Sequence, residues 1–167
     1  MFKFGKVYGA TLLTLVLLTL CSRAAAQELN EGSREAVGYI GGLERNGGAF
    51  TLGAGYGYAL RRRWLVIGEL GFVSGGGAHG VEFGANAHYL FPLRDYPKVT
   101  PYGLVGLGIL HFGCDGCGSA TTGGINFGGG ARWQTGTNWG IRPEIKFLAG
   151  NHFYTRFSAG VYYEFGK

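Results

Sequence analysis

The stretch VEFGANAHYLF, residues 81–91, alternates between two kinds of side chain. Every second residue from Val81 to Phe91 is apolar, and the first four positions between them are Glu82, Gly84, Asn86 and His88. A period of two places alternate side chains on opposite faces of a β-strand. The eleven residues of the stretch also match the length of about 9–11 residues with which a tilted strand crosses a bilayer. The stretch therefore predicts a membrane-crossing strand with one apolar face.

Seven further segments have similar lengths and patterns, with turns rich in Gly, Asn, Asp and Pro between them. The eight predicted strands are 34–43, 48–60, 64–74, 81–91, 99–112, 123–133, 139–149 and 155–165. A chain that crosses a membrane on strands has to close them into a barrel, because every backbone polar group must be paired in lipid. Bacterial single-chain barrels have an even number of strands. The predicted fold class is all-β, an eight-stranded antiparallel up-and-down transmembrane β-barrel.

The first 26 residues have the pattern of a secretory signal peptide. Lys3 and Lys6 precede an apolar run from Ala10 to Leu20, and three alanines, 24–26, follow as a cleavage site. The run is too short for a membrane-spanning helix, which needs about 20 residues. We therefore predict a cleaved signal peptide at 1–26, a short N-terminal segment at 27–33 and the barrel at 34–167. The alternatives are a retained membrane anchor and a lipoprotein modified at Cys21.

Composition excludes several classes of protein. Glycine accounts for 34 of 167 residues, and charged residues make up only 15%. Such a composition favours disorder in a soluble chain, but the abundance of aromatic and branched apolar residues argues against it. The formal charge of +5 falls to +2 when Lys3, Lys6 and Arg23 leave with the signal peptide. No basic stripe with interleaved aromatics is present, so we expect no nucleic-acid partner.

Alternation does not reveal which face of the barrel is inside. A soluble barrel would turn its apolar face inward. Here the polar faces carry mainly small residues, which suit a narrow lumen, and all three tryptophans flank short turns at one end of the strands. Aromatic residues at strand ends form girdles at membrane interfaces. The predicted girdle consists of Tyr58, Trp64, Phe91, Trp133, Trp139 and Phe165.

The inward faces then carry four acids and four bases. They are Glu69, Glu82, Arg132, Arg142, Glu144, Lys146, Arg156 and Glu164. Buried charges have to pair, and an eight-stranded barrel is only wide enough for side chains to fill it. We therefore predict a salt-bridged plug. The alternative is a gate or narrow ion path, because rings of charge also select ions.

Three local features carry weaker predictions. In the first and fifth strands we expect Val37, Tyr39, Val105, Leu107 and Ile109 to face lipid. Pro143 lies inside a predicted strand and lacks a backbone donor, which suggests a bulge. The segment 114–122 is predicted to be the longest connection at its end of the barrel.

Cys114 and Cys117 lie in that connection. Exported proteins meet an oxidising compartment, so we predict a disulfide between them. A redox role would require a following helix to lower the thiol pKa. A zinc site would require two more ligands, and only His111 is near in sequence. We predict no metal site and no cofactor.

The signal peptide, the eight short strands and the stretch PYGLVGLG at 101–108 together resemble the outer-membrane β-barrel domain family, the small OmpA/OmpX-like barrels. The resemblance covers most of 34–165 and implies a location in the bacterial outer membrane and contact with its lipid. It also implies recognition by the barrel-assembly machinery, for which members usually end on an aromatic residue. Here Phe165 stands third from the end.

The sequence supports a non-enzymatic barrel that serves in envelope structure or in contact with an unidentified surface partner. A narrow porin-like channel for small solutes is the alternative. Some small barrels are lipid A-modifying enzymes, but here His152 is not followed by a serine in the required pattern, and no nucleophile–base pair is evident. We therefore expect no catalytic residues.

Overall fold

The computed structural model describes residues 29–45, 48–93, 95–114, 116 and 118–166. Within them the strands are β1 Arg34–Glu44, β2 Ala49–Arg61, β3 Trp64–Gly75, β4 Ala78–Leu90, β5 Val99–Cys114, β6 Gly118–Gln134, β7 Trp139–Gly150 and β8 Phe153–Phe165. Each strand pairs antiparallel with its neighbour in sequence, and β1 pairs with β8 to close the barrel. The predicted fold class is confirmed. The predicted signal peptide lies outside the described residues.

The two ends of the barrel differ in their connections. The terminal end, where β1 begins and β8 ends, has connections at 62–63, 91–98 and 135–138. The distal end has connections at 45–48, 76–77, 115–117 and 151–152. The described part of the chain contains no helix long and apolar enough to cross a membrane.

The β5–β6 hairpin is longer than its sequence pattern indicates. Its strands have 16 and 17 residues and remain paired up to Cys114 and Gly118. Gly116 and Gly118 have φ values of 83° and 84°, which only glycine adopts without strain and which allow a tight turn. The prediction that 114–122 is the longest connection at this end was therefore wrong, because most of that segment continues the two strands.

The inward and outward faces follow the predicted alternation in seven strands. In β5, Val105, Leu107 and Ile109 face outward. The prediction for β1 was wrong, since Val37 and Tyr39 are 3% and 4% exposed and project into the lumen. Tyr39 fits there because Gly71 has no side chain. A methyl group on Gly71 would lie only 2.7 Å from the Tyr39 hydroxyl.

Pro143 interrupts the β6–β7 ladder without a bulge. Gly130 pairs with Glu144 and Trp133 pairs with Ile141, so the register is the same on both sides. The predicted bulge was therefore wrong, because the missing proline donor removes a bond but adds no residue. The register shift between paired strands lies instead between β2 and β3, at Ala59 and Arg61.

The lumen contains three layers of side chains. The terminal apolar layer consists of Leu29, Ala59, Leu65, Ile67, Leu90, Tyr102 and Leu104. The distal apolar layer consists of Leu43, Val73, Leu110, Leu148 and Tyr154, with Ala49 and Phe112 packed against it. Charged side chains occupy the middle layer between them and reach the terminal rim, where Arg132 pairs with Glu164. Leu29 lies before β1 and is held across the terminal end by its backbone N–H, which donates to the Arg62 carbonyl at 2.9 Å.

Candidate functional site

The lumen contains all eight charged residues that the sequence predicts for it. Seven of these side chains are buried, and Glu164 lies at the terminal rim with 18% of its side chain exposed. They come from β3, β4, β6, β7 and β8, where each occupies an inward position of the alternation. Strand pairing brings them together although they are far apart in sequence.

Arg156 is the centre of the network. Its Nη2 atom lies 3.1 Å from Glu69 and 2.7 Å from Glu144, and its Nη1 atom lies 3.3 Å from Glu82. Lys146 Nζ lies 2.8 Å from Glu69 and 2.7 Å from Glu82. Each carboxylate here contacts at least one base, which is the condition for burying charge without a large desolvation cost.

Glu35 extends the network toward the terminal end and was missed by the sequence analysis. One of its carboxylate oxygens lies 3.1 Å from Arg142 Nη1, and the other accepts a hydrogen bond from Arg132. Arg132 also pairs with Glu164, and Arg142 pairs with Glu69 at 3.1 Å. The ion pairs are therefore continuous from the rim to the middle of the barrel.

A charge argument could have found Glu35. Our assignment of Val37 and Tyr39 to the lipid face also placed Glu35 on that face, since all three share one side of β1. A carboxylate in the hydrocarbon region is costly. The opposite assignment, which the structure adopts, gives Glu35 two arginine partners.

Tyrosine side chains line the network and satisfy part of it. The Tyr39 hydroxyl accepts a hydrogen bond from Arg156 at 2.9 Å, and the Tyr39 ring lies 4.3 Å from the Arg156 guanidinium carbon. Tyr102 donates to Glu144 at 2.8 Å. Such contacts orient the guanidinium and carboxylate groups of the network.

The buried part of the network is formally neutral. Glu35, Glu69, Glu82 and Glu144 are buried, as are the four bases. Glu164 is a fifth acid of the described network, but it lies at the rim, where water screens it. Neutrality matters because an unmatched charge at this depth would cost several kcal/mol.

The six residues predicted for the aromatic girdle all lie near the terminal end and point outward. Trp64 contacts Tyr89 edge to face with ring centroids 5.0 Å apart, and Tyr89 contacts Phe91 at 4.9 Å. The rings of Tyr163 and Phe165 are stacked, with their centroids 6.4 Å apart. Their role as membrane anchors stays a prediction.

Three of the four histidines lie at the distal end. His79, His111 and His152 are exposed, whereas His88 is buried in the lumen and stacks on Tyr102 at 4.7 Å. Strand pairing also brings together a nucleophile and a base that the sequence did not reveal, since Ser74 Oγ lies 3.1 Å from His79 Nδ1. No carboxylate orients His79 in the described hydrogen bonds, so the pair lacks the third group of a catalytic triad.

Cys114 is disulfide-bonded. Cys117, its predicted partner, lies outside the described residues, so the pairing of these two cysteines stays a prediction. In the part of the chain that the structure describes, no group of three or more His, Cys, Asp or Glu side chains could hold a metal ion.

Several solved structures share this architecture. The N-terminal β-barrel domain of Pseudomonas aeruginosa OprF aligns with a TM-score of 0.67 and 18% identity, covering 82% of this chain and 100% of that one. Neisserial surface protein A aligns with a TM-score of 0.63 and 16% identity, covering 80% and 96%. Ail of Yersinia pestis aligns with a TM-score of 0.56 and 21% identity, covering 81% and 100%. At these identities the likeness shows the fold.

No curated protein sequence matches the chain significantly. The family model for the outer membrane protein β-barrel domain matches residues 12–165, which is most of the chain. The closed eight-stranded barrel, the apolar outward face and this match lead to one conclusion. The chain belongs to the outer membrane protein β-barrel domain family and is located in the bacterial outer membrane.

Proposed function

We propose that this protein is a non-enzymatic and non-conducting barrel that serves in envelope structure or surface interaction. One observation carries the proposal. A continuous network of ion pairs fills the middle of the lumen and extends to the terminal rim, beside the terminal apolar layer.

The physics of the lumen supports a closed barrel. A path for ions would require at least one base, such as Arg156, to leave its carboxylates, and separating a buried pair costs about 3–5 kcal/mol. Water would also have to enter the distal apolar layer, and narrow apolar constrictions resist wetting. The packing is therefore that of a protein interior.

The distal end supports a mainly structural role. Its connections are each four residues long or shorter, whereas loops on the outer side of such barrels are commonly longer than the turns on the other side. Little of the chain therefore extends beyond the barrel at this end. A surface partner would have to contact the strand ends themselves, above all the long β5–β6 hairpin.

Conductance in a planar lipid bilayer tests the closed lumen. Residues 27–167 would be refolded, folding would be checked by a heat-shifted gel band, and an established porin would serve as the positive control. We expect no steady current. Stable steps with ion selectivity, altered by Glu69→Gln, would instead establish the narrow channel.

Lipid analysis tests the proposal that the protein is not an enzyme. Lipid A extracted from cells with and without the protein should have the same mass spectrum. A mass change that disappears in Ser74→Ala or His152→Ala would overturn this part and leave the conductance result untouched.

A further inference from the structure

The charges that lie outside the lumen are concentrated at one end of the barrel. Among the described residues, the terminal end carries the bases Arg34, Arg61, Arg62, Arg63 and Lys98 and the acids Glu31 and Asp95. The distal end carries only the neighbouring pair Glu44 and Arg45. Among these described residues, the terminal end has a formal charge of +3 and the distal end is neutral.

Three of these bases surround a groove at the β2–β3 turn. The groove has a volume of about 520 Å³ and is lined by Glu31, Arg61, Arg62, Arg63, Trp64 and Tyr89. All three arginines are exposed, as they occupy the turn and the strand end before it. With Glu31 included, the groove has a formal charge of +2.

Trp64 belongs both to this groove and to the aromatic girdle. Trp64 follows the turn directly and packs edge to face on Tyr89, which in turn contacts Phe91. Tryptophan and tyrosine concentrate at the headgroup level of a membrane. The predicted girdle therefore places the arginines at the depth of the lipid phosphates, and guanidinium groups bind phosphate through paired hydrogen bonds.

We propose that this groove binds the phosphate headgroup of an anionic phospholipid in the leaflet that surrounds the terminal end. Arg61, Arg62 and Arg63 supply the charge, and Trp64 and Tyr89 hold the glycerol and upper acyl region. The carboxylate of Glu31 limits the net charge and disfavours a second anion. The site lies outside the lumen, so it is independent of whether the barrel conducts.

Tryptophan quenching tests the proposal at the site. A variant with Trp133→Phe and Trp139→Phe retains Trp64 as its only tryptophan. It would be refolded into phosphatidylcholine vesicles that contain a minor fraction of phosphatidylglycerol, with either lipid brominated in its acyl chains. We expect phosphatidylglycerol to be enriched beside Trp64 by roughly fivefold over its bulk fraction, since one basic side chain at a membrane surface favours an anionic lipid by about that factor.

Two matched controls separate a site from general attraction. A variant with Trp64→Phe and Trp139→Phe reports from Trp133, on β6 at the same end of the barrel, and should show little enrichment. Arg62→Gln/Arg63→Gln should abolish the enrichment at Trp64, whereas Arg34→Gln/Lys98→Gln removes the same charge and should preserve it. A heat-shifted gel band confirms folding of every variant.

Three outcomes would overturn the proposal. Equal enrichment at Trp64 and Trp133 would show diffuse attraction to the whole terminal end. Equal loss in the two double variants would show that only net charge matters. Displacement of the brominated lipid by inorganic phosphate at a matched concentration would show a site for free anions.

Discussion

The middle of the lumen and its two ends bury side chains of different character. The middle layer buries Glu69, Arg142 and Arg156 among its charges, whereas the end layers are built around side chains such as Leu65 and Leu110. Charge is tolerated in the middle because every buried acid there meets a base. The apolar ends reduce access of water to that layer, which strengthens each ion pair through the low local dielectric.

The comparison teaches that the two kinds of layer fail differently. An apolar layer loses contacts in proportion to the atoms removed. In the charged layer, substitution of one charged group leaves another charge without a partner, and that charge keeps its desolvation cost. Substitutions in each layer test this difference.

Glu69→Gln should have the largest effect. Glu69 contacts Arg142, Lys146 and Arg156, and its neutralisation leaves a buried positive charge without a match. We expect the free energy of unfolding to fall by about 4 kcal/mol, measured by urea unfolding in lipid vesicles with tryptophan fluorescence as the signal.

A second substitution sharpens that result. Glu69→Gln/Lys146→Gln restores neutrality, so its loss of stability should be clearly smaller than the sum of the two single losses. If the two losses were additive, the balance of charge would not determine the stability of the middle layer.

Leu65→Ala should cost about 3 kcal/mol, because it removes buried methyl groups from the terminal apolar layer and leaves a cavity. The current through the barrel should stay at zero, since the ion-paired layer remains in place. Leu107→Ala is the matched control. Leu107 faces outward and is 68% exposed, so its truncation in contact with lipid should cost less than about 1 kcal/mol. Equal costs at both positions would contradict the inward packing of Leu65.

Tyr102→Phe should cost about 2 kcal/mol, the usual value of one hydrogen bond to a charged group. Tyr102 belongs to the terminal apolar layer, but its hydroxyl donates to Glu144 in the middle layer, so the variant tests the contact between the two. Tyr56→Phe, on the outward face, should unfold at the same urea concentration as the unchanged protein. If Tyr102→Phe left the free energy of unfolding unchanged, the two layers would be energetically independent.

Glu164→Gln should have the smallest effect, below about 1 kcal/mol, because a partly exposed ion pair contributes little. Its partner Arg132 also retains Glu35. Glu35→Gln is the informative counterpart, since Glu35 is buried between Arg132 and Arg142 and its loss should cost several times more. Similar urea midpoints for the two variants would contradict the expected difference in stability between rim and interior ion pairs.

The strands themselves could be predicted from sequence within a few residues. The alternation in 81–91 requires only local backbone geometry, since successive side chains of a strand point to opposite faces. The same local rule placed Glu69, Glu82 and Arg156 on inward faces. Where apolar residues occupied both faces, as in β1, the rule did not decide, and Val37 and Tyr39 were assigned wrongly.

By itself, the sequence determined the number of strands, the apolar outward wall and the terminal position of the tryptophans, because these follow from patterns within single strands. Only the tertiary structure decided which acid meets which base. Glu35 and Arg142 are 107 residues apart, and they meet because β1 closes on β8 and the strand registers set their height in the lumen. Register and closure are properties of the whole sheet, so no single strand encodes them.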